Sequence, residues 1–219
     1  MKVFIGVGHG GSDPGAVANG VKEKDLNLSI AKACRDELVR HGVEVKMSRT
    51  KDENDTLSEE IRECNAYAPD LAVDIHNNAG GGDGAEVFHH HGGGKGKTLA
   101  ENILSEIVKV GQNSRGAKAR KNSQGKDYYG FIRETSAPAV IVECAFVDNA
   151  SDLKILATES DRQKVGRAIA KGVLKTLGIE IQGERLYRVQ VGAYLLRSNA
   201  EDMQKKIKAV GFDAFIVKE

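Results

Sequence analysis

The chain has 219 residues, a formal net charge of +1, 40% hydrophobic residues and no tryptophan. That suits one medium domain, or one with a small appendage, and it leaves no electrostatic footprint for nucleic acid or an anionic membrane. No apolar run reaches membrane-spanning length, and the three cysteines, Cys34, Cys64 and Cys144, are too few and too widely spaced for a disulfide framework.

Val3, Phe4, Ile5 and Val7 read as a buried strand that ends in glycines around His9. Asp25 is placed to cap a helix running to about His41, with Leu26, Ile30, Cys34 and Leu38 on one face. Residues 43–47 alternate as a second strand; Leu57, Ile61 and Cys64 mark a second helix closed by Pro69. Residues 71–75 form the next strand, ending in His76-Asn77-Asn78. A glycine loop leads to a short strand, Ala85 to Phe88, which runs into His89-His90-His91. Leu99, Ile103, Ile107 and Val110 give a third helix. Residues 111–127 are basic and polar and read as a long surface loop, with a brief ordered turn at Tyr128 to Arg133. Residues 139–146 are a buried strand interrupted by one acid, Glu143, and Val165, Ile169, Val173 and Leu177 define a long final helix.

Alternating strands and helices through residue 177 predict an α/β fold, a mainly parallel twisted sheet with helices on both faces. Residues 178–185 read as a linker. The tail, residues 186–219, reads as strand, helix over Asn199–Gly211 and strand over Phe212–Val217, too small to fold alone.

Three strand ends carry chemistry: His9, His76 and Glu143. Parallel strands end on one side of a wound sheet, so these groups can converge, and Glu23 lies on the segment returning from the first turn. Two histidines and a carboxylate are the ligand set of a catalytic zinc site, and a further carboxylate beside it can deprotonate water. Glu143 is the candidate, since an acid isolated in an apolar strand is costly to bury without a partner. At most two of His89, His90 and His91 can serve one ion, because alternate strand residues face opposite ways. Cys144 sits in an apolar strand, the setting of an inert thiol.

Gly8-His9-Gly10-Gly11-Ser12-Asp13-Pro14-Gly15, Glu23-Lys24-Asp25-Leu26-Asn27, Asp74-Ile75-His76-Asn77-Asn78 and Pro138-Ala139-Val140-Ile141-Val142-Glu143 together resemble the zinc-dependent N-acetylmuramoyl-L-alanine amidases, the amidase 3 group, in order and spacing. The resemblance spans residues 1–177. It implies a six-stranded sheet, Zn2+ held by His9, Glu23 and His76, and Glu143 as the catalytic acid. It also implies cleavage of the amide between N-acetylmuramic acid and the L-alanine of the peptidoglycan stem peptide. The family commonly has serine where this chain has Asp74, which on a strand can either face the core or lie behind His76 and hold its ring. Substrate contacts are expected from Asn78, Arg115 and Arg133, the arginines meeting stem-peptide carboxylates. The tail resembles half of a SPOR-type repeat, a wall-binding module, so two chains are expected to pair tails into a homodimer. The chain is expected to be made in the cytoplasm without a signal peptide and to act on the wall after release, as an endolysin or autolysin. The rival readings are a zinc peptidase cutting within the stem peptide and a non-catalytic wall-binding protein.

Overall fold

A computed structural model describes residues 1–183 and 190–218. The chain divides into two units, residues 1–182 and 183–219.

The first unit is built on a six-stranded sheet. Its strands are β1 (Lys2–Val7), β4 (Glu44–Met47), β5 (Leu71–Asn78), β6 (Ala85–His89), β7 (Ser114–Lys118) and β8 (Ala139–Phe146), in the order β4-β1-β5-β8-β6-β7. A two-stranded ribbon, β2 (Val17–Ala18) and β3 (Val21–Lys22), precedes helix α1 (Glu23–Arg40). All ladder pairs in the main sheet are parallel except β6 with β8, as a mainly parallel fold requires.

The two faces of the sheet are unlike. Val3, Ile5, Val73, Ile75, Val140 and Val142 point to one face and are fully or almost fully buried there. That face packs against α1, α3 (Gly94–Lys109) and α6 (Glu159–Leu177), whose apolar stripes recur at helical spacing. Each such Leu, Ile or Val withdrawn from water contributes roughly 1.5–3 kcal/mol before the entropy of ordering is charged against it. On the opposite face, α2 (Leu57–Tyr67) and α4 (Gly130–Glu134) cover Phe4, Ala72, Ala139 and Ile141. Toward the C-terminal strand ends this second face turns polar, carrying His76, Asn78 and Glu143, all half-buried.

Several boundaries differ from the sequence reading. Helix α1 starts at Glu23, not Asp25, and its N-cap Lys22 makes no side-chain cap bond. Residues 111–127 are not all loop. Ser114–Lys118 pair with β6 as the sheet's edge strand. Helix α5 (Ala150–Ile155) is capped by Asn149, which accepts from Ser151 and Asp152 backbone N–H groups. Residues 178–182 follow the end of α6 and stay with the first unit. Ile179 and Ile181 pack on its core, Arg40 donates to the Gln182 carbonyl, and the Gln182 N–H donates to His41.

The second unit contains α7 (Arg197–Ala209), close to the expected helix. The expected strand over 186–194 falls partly outside the described residues, and 190–194 carry no ladder. Neither do residues 212–217, where a strand was expected. A strand needs a partner for its N–H and C=O groups, and none of the described residues of this unit supplies one. Phe212, Phe215 and Val217 are accordingly exposed. No helix among the described residues is long and apolar enough to cross a membrane.

Candidate metal centre

Strand β1 ends in a turn held from beneath by the segment after β4. The buried Arg49 guanidinium donates to the carbonyls of Val7, Gly8 and Lys24, and Lys24 bridges the Gly11 carbonyl and Asp52. This bracing keeps His9 at φ 63°, a left-handed conformation that a non-glycine residue adopts only when its surroundings impose it. Gly8 is required for another reason. A Cβ there would lie 2.2–2.4 Å from the His76 imidazole, so the ring occupies space that any side chain on Gly8 would fill.

The structure brings His9, Glu23 and His76 together, with one donor atom of each within 4.8 Å of the others. Glu23 is the hub. Its carboxylate lies 3.2 Å from His9 Nε2 and 3.2 Å from His76 Nδ1, and it accepts from the backbone N–H groups of Ala16 and Asn77 and from Asn27. Burial opposes its charge, but the two imidazoles hold its pKa far below the usual carboxylate range. Each imidazole has a second carboxylate on its far side: Asp13 Oδ2 is 2.8 Å from His9 Nδ1, and Asp74 Oδ2 is 3.1 Å from His76 Nε2. A carboxylate accepts there, so the far nitrogens carry protons, and His9 Nε2 and His76 Nδ1, turned toward Glu23, are the atoms a cation would take in place of the protons they share with that carboxylate. This is the arrangement a tetrahedral metal site demands, with the carboxylates behind the candidate ligands fixing ring orientation. The residues present therefore fit a zinc ion.

Of the two places open to Asp74, it thus takes the one behind His76. Hydrogen bonding of His9 to Glu23, and the carboxylates around His76, raise both histidines above the ordinary imidazole value against the cost of burial.

Glu143 adjoins this group. It is the register partner of His76 across the β5–β8 ladder, so both side chains stand on the polar face. Its Oε2 is buried with no hydrogen-bond partner among the described residues. Burial pushes its pKa up to about 7, against the pull of His76 and helped by Glu23 and Asp74. An acid poised there accepts and releases protons at neutral pH.

Of the expected substrate contacts, Asn78 and Arg115 line the same face. Both bind Glu86, a residue the sequence reading left unassigned: Asn78 Nδ2 donates at 3.0 Å and Arg115 Nε at 3.0 Å. Glu86 is in turn the register partner of Glu143, and Lys118 joins it as a second cation. The Arg115 guanidinium also lies over the Phe146 ring, 4.9 Å from its centroid. Arg133 lies elsewhere. It donates to the carbonyls of Asp127 and Tyr128 and pairs with Glu134, bracing the loop before α4.

The three consecutive histidines separate. His89 is buried, its Nδ1 against the His90 carbonyl. His90 Nε2 and His91 Nδ1 each lie 3.0 Å from Asp127 Oδ2, a second His-His-carboxylate group. Here the tautomer is wrong for a ligand. His90 Nδ1 accepts from the Gly92 N–H, so its proton stands on Nε2 and points at Asp127. The group clamps the basic loop to the end of β6. Cys144 packs in the apolar core with its thiol pKa pushed well above normal by burial, as an inert cysteine should.

The family model for N-acetylmuramoyl-L-alanine amidase matches residues 3–175. The chain belongs to that family. The amidase is 36% identical over 221 residues to the N-acetylmuramoyl-L-alanine amidase CwlM of Bacillus licheniformis, covering 99% of this chain and 85% of that one. It is 34% identical over 221 residues to the sporulation-specific N-acetylmuramoyl-L-alanine amidase of Bacillus subtilis (strain 168), covering 99% and 84%. Among solved structures it resembles an N-acetylmuramoyl-L-alanine amidase of Nostoc punctiforme with a TM-score of 0.74 at 29% identity, covering 81% of this chain and 97% of that one. The SPOR domain model matches residues 162–218 of the amidase. The first part of that match falls on α6, inside the first unit, so the two family matches overlap.

Proposed function

We propose that this amidase hydrolyses the amide between N-acetylmuramic acid and the L-alanine of the stem peptide, using a zinc centre formed by His9, Glu23 and His76. The observation that carries the reading is the convergence of His9 Nε2 and His76 Nδ1 on Glu23, each ring backed by a second carboxylate, beside an unpartnered Glu143 oxygen. Family membership supplies the substrate class.

Asp13 and Asp74 orient the two rings, and Asn27 and the Asn77 N–H hold Glu23 in place. A zinc ion bound there supplies Lewis-acid polarisation of the scissile carbonyl and lowers the pKa of water. Glu143 accepts a proton from the attacking water through its free Oε2 and returns it to the departing alanine nitrogen. Asn78, Glu86 and Arg115 form the adjoining wall, where the guanidinium suits a stem-peptide carboxylate. Arg133 does not join that wall and instead holds the Asp127 and Tyr128 carbonyls before α4.

The test is mass analysis of muropeptides after digestion. Free stem peptides bearing N-terminal L-alanine are expected. Fragments cut inside the stem peptide would replace this reading with a peptidase, and intact muropeptides from zinc-loaded protein would replace it with a wall-binding role.

The tail is proposed to bind glycan strands as a SPOR-type module completed by a second copy, giving a homodimer. Its support is the match over 162–218 and the exposed Phe212, Phe215 and Val217, which lack a partner strand among the described residues. Light scattering at micromolar concentration is expected to give twice the chain mass, and the monomer mass overturns the pairing. On this reading the enzyme folds in the cytoplasm and reaches the wall after release. Its appearance in the culture medium only upon lysis is the expected result, and export from intact cells would contradict it.

A further inference from the structure

Gly6 and Asp74 are register partners on β1 and β5. A Cβ built on Gly6 would lie 1.9 Å from Glu60 Oε1 and 2.7 Å from Asp74 Oδ1, so both oxygens converge on the space the glycine leaves empty. Both oxygens are buried, and neither has a hydrogen-bond partner among the described residues. Glu60, on α2, and Asp74, on β5, are themselves buried.

Two ionised carboxylates converging on one buried space repel each other; one proton shared by the pair converts the repulsion into a strong hydrogen bond. Geometry decides which acid carries it. Asp74 Oδ2 lies 3.1 Å from His76 Nε2 and accepts there, so the oxygen it has left over is Oδ1, the one that meets Glu60 beside Gly6. Glu60 is the partner without that obligation.

We propose that Glu60 is a positioning residue for the metal centre: its carboxyl proton is donated to Asp74 Oδ1, which holds Asp74 Oδ2 on the Nε2–H of His76 and the His76 lone pair on the ion. The inference rests on reading His76 as a ligand. Burial and the Asp74 charge push the Glu60 pKa well above the usual carboxylate range, in keeping with a retained proton. Asp74 brings a carboxylate with a second oxygen to satisfy, and Glu60 satisfies it.

The first test is infrared spectroscopy of metal-free protein near neutral pH, in a Glu143→Gln background so that Glu143 contributes no acid signal. A protonated-carboxyl C=O stretch is expected, and Glu60→Gln removes it. The second test is zinc affinity by chelator competition. Glu60→Gln, whose amide N–H donates in the same direction, is expected to stay within about threefold of the parent. Glu60→Met, similar in size but with no donor, is expected to lose roughly 10–100-fold, the range for lost partners behind a metal ligand. Absence of the carboxyl band overturns the proposal. So does equal zinc affinity in Glu60→Met and the parent, or an equal loss in Gln and Met. If Glu60→Met does not fold, the band and the Gln variant still decide. Failure of the parent to bind zinc is a separate result: it removes the metal centre and this role with it, while the band reports on the hydrogen bond alone.

Discussion

His76 and Glu143 stand directly opposite each other on the parallel strands β5 and β8. Neighbouring strands lie about 4.8 Å apart, so a ligand candidate and an acid of raised pKa are fixed side by side by backbone hydrogen bonds rather than by a loop. The reaction geometry is therefore as rigid as the sheet. Glu143→Gln keeps the shape and removes the base. A loss of roughly 10²–10⁴-fold in kcat is expected, with zinc content unchanged. A fall in zinc content in parallel would make Glu143 a ligand instead of the base.

The raised Glu143 pKa has a consequence for the stability of metal-free protein. An acid raised in the fold retains a proton that the unfolded chain has lost, so its contribution to stability is present at low pH and disappears as pH rises through the folded value. The window runs from the ordinary carboxyl value of 4.5 to about 7. Wild type should therefore lose up to about 3 kcal/mol relative to Glu143→Gln across that window, and no more above it. Urea unfolding of both proteins at closely spaced pH values measures the difference. A constant difference would mean that burial does not perturb this acid.

Gly8→Ala tests the space under His76. Its added Cβ would fall inside the contact distance of the ring. Overpacking of this kind costs about 1–3 kcal/mol and displaces the side chain that must move. Weaker zinc binding together with a lower Tm is expected from chelator competition and thermal melts. Unchanged zinc affinity would show that the ring has room to turn.

Arg115→Ala removes the cation from the proposed substrate wall without touching His9, Glu23, His76 or Glu143. The expected result is a KM raised several-fold on substrate carrying the free stem-peptide carboxylate, with kcat little changed. On amidated stem peptides the same substitution should matter less. Equal effects on both substrates would detach Arg115 from carboxylate recognition.

The centre was legible because its residues interrupt strong patterns. His9 and His76 end apolar runs, and Glu143 breaks one. What the sequence hid depends on contacts across long separations. Glu60 falls at helical spacing from Leu57, Ile61 and Cys64, on the face those residues mark, whereas Glu59 completes a capping box with Thr56, but no local pattern names what Glu60 meets there. Only Gly6 and Asp74 do. Strand β7 was hidden for another reason. Ser114-Arg115-Gly116-Ala117-Lys118 has no alternation, because an edge strand with one neighbour has little to bury. The tandem histidines resolved only once Gly92 and Asp127 showed which nitrogen of His90 holds the proton.

The reversed strand β6 has an architectural effect. Because it runs against β8, it presents its first residues, not its last, at the reactive end of the sheet. The glycine segment that enters it therefore borders the cleft, pinned at its start by Asp148, which accepts from the Gly80 and Gly81 N–H groups. Residues added between Gly81 and Gly84 would reshape the mouth while the β5–β8 ladder stayed in register. Substrate range and reaction geometry are in this way inherited from separate stretches of chain, so one can be redesigned, or drift, without the other.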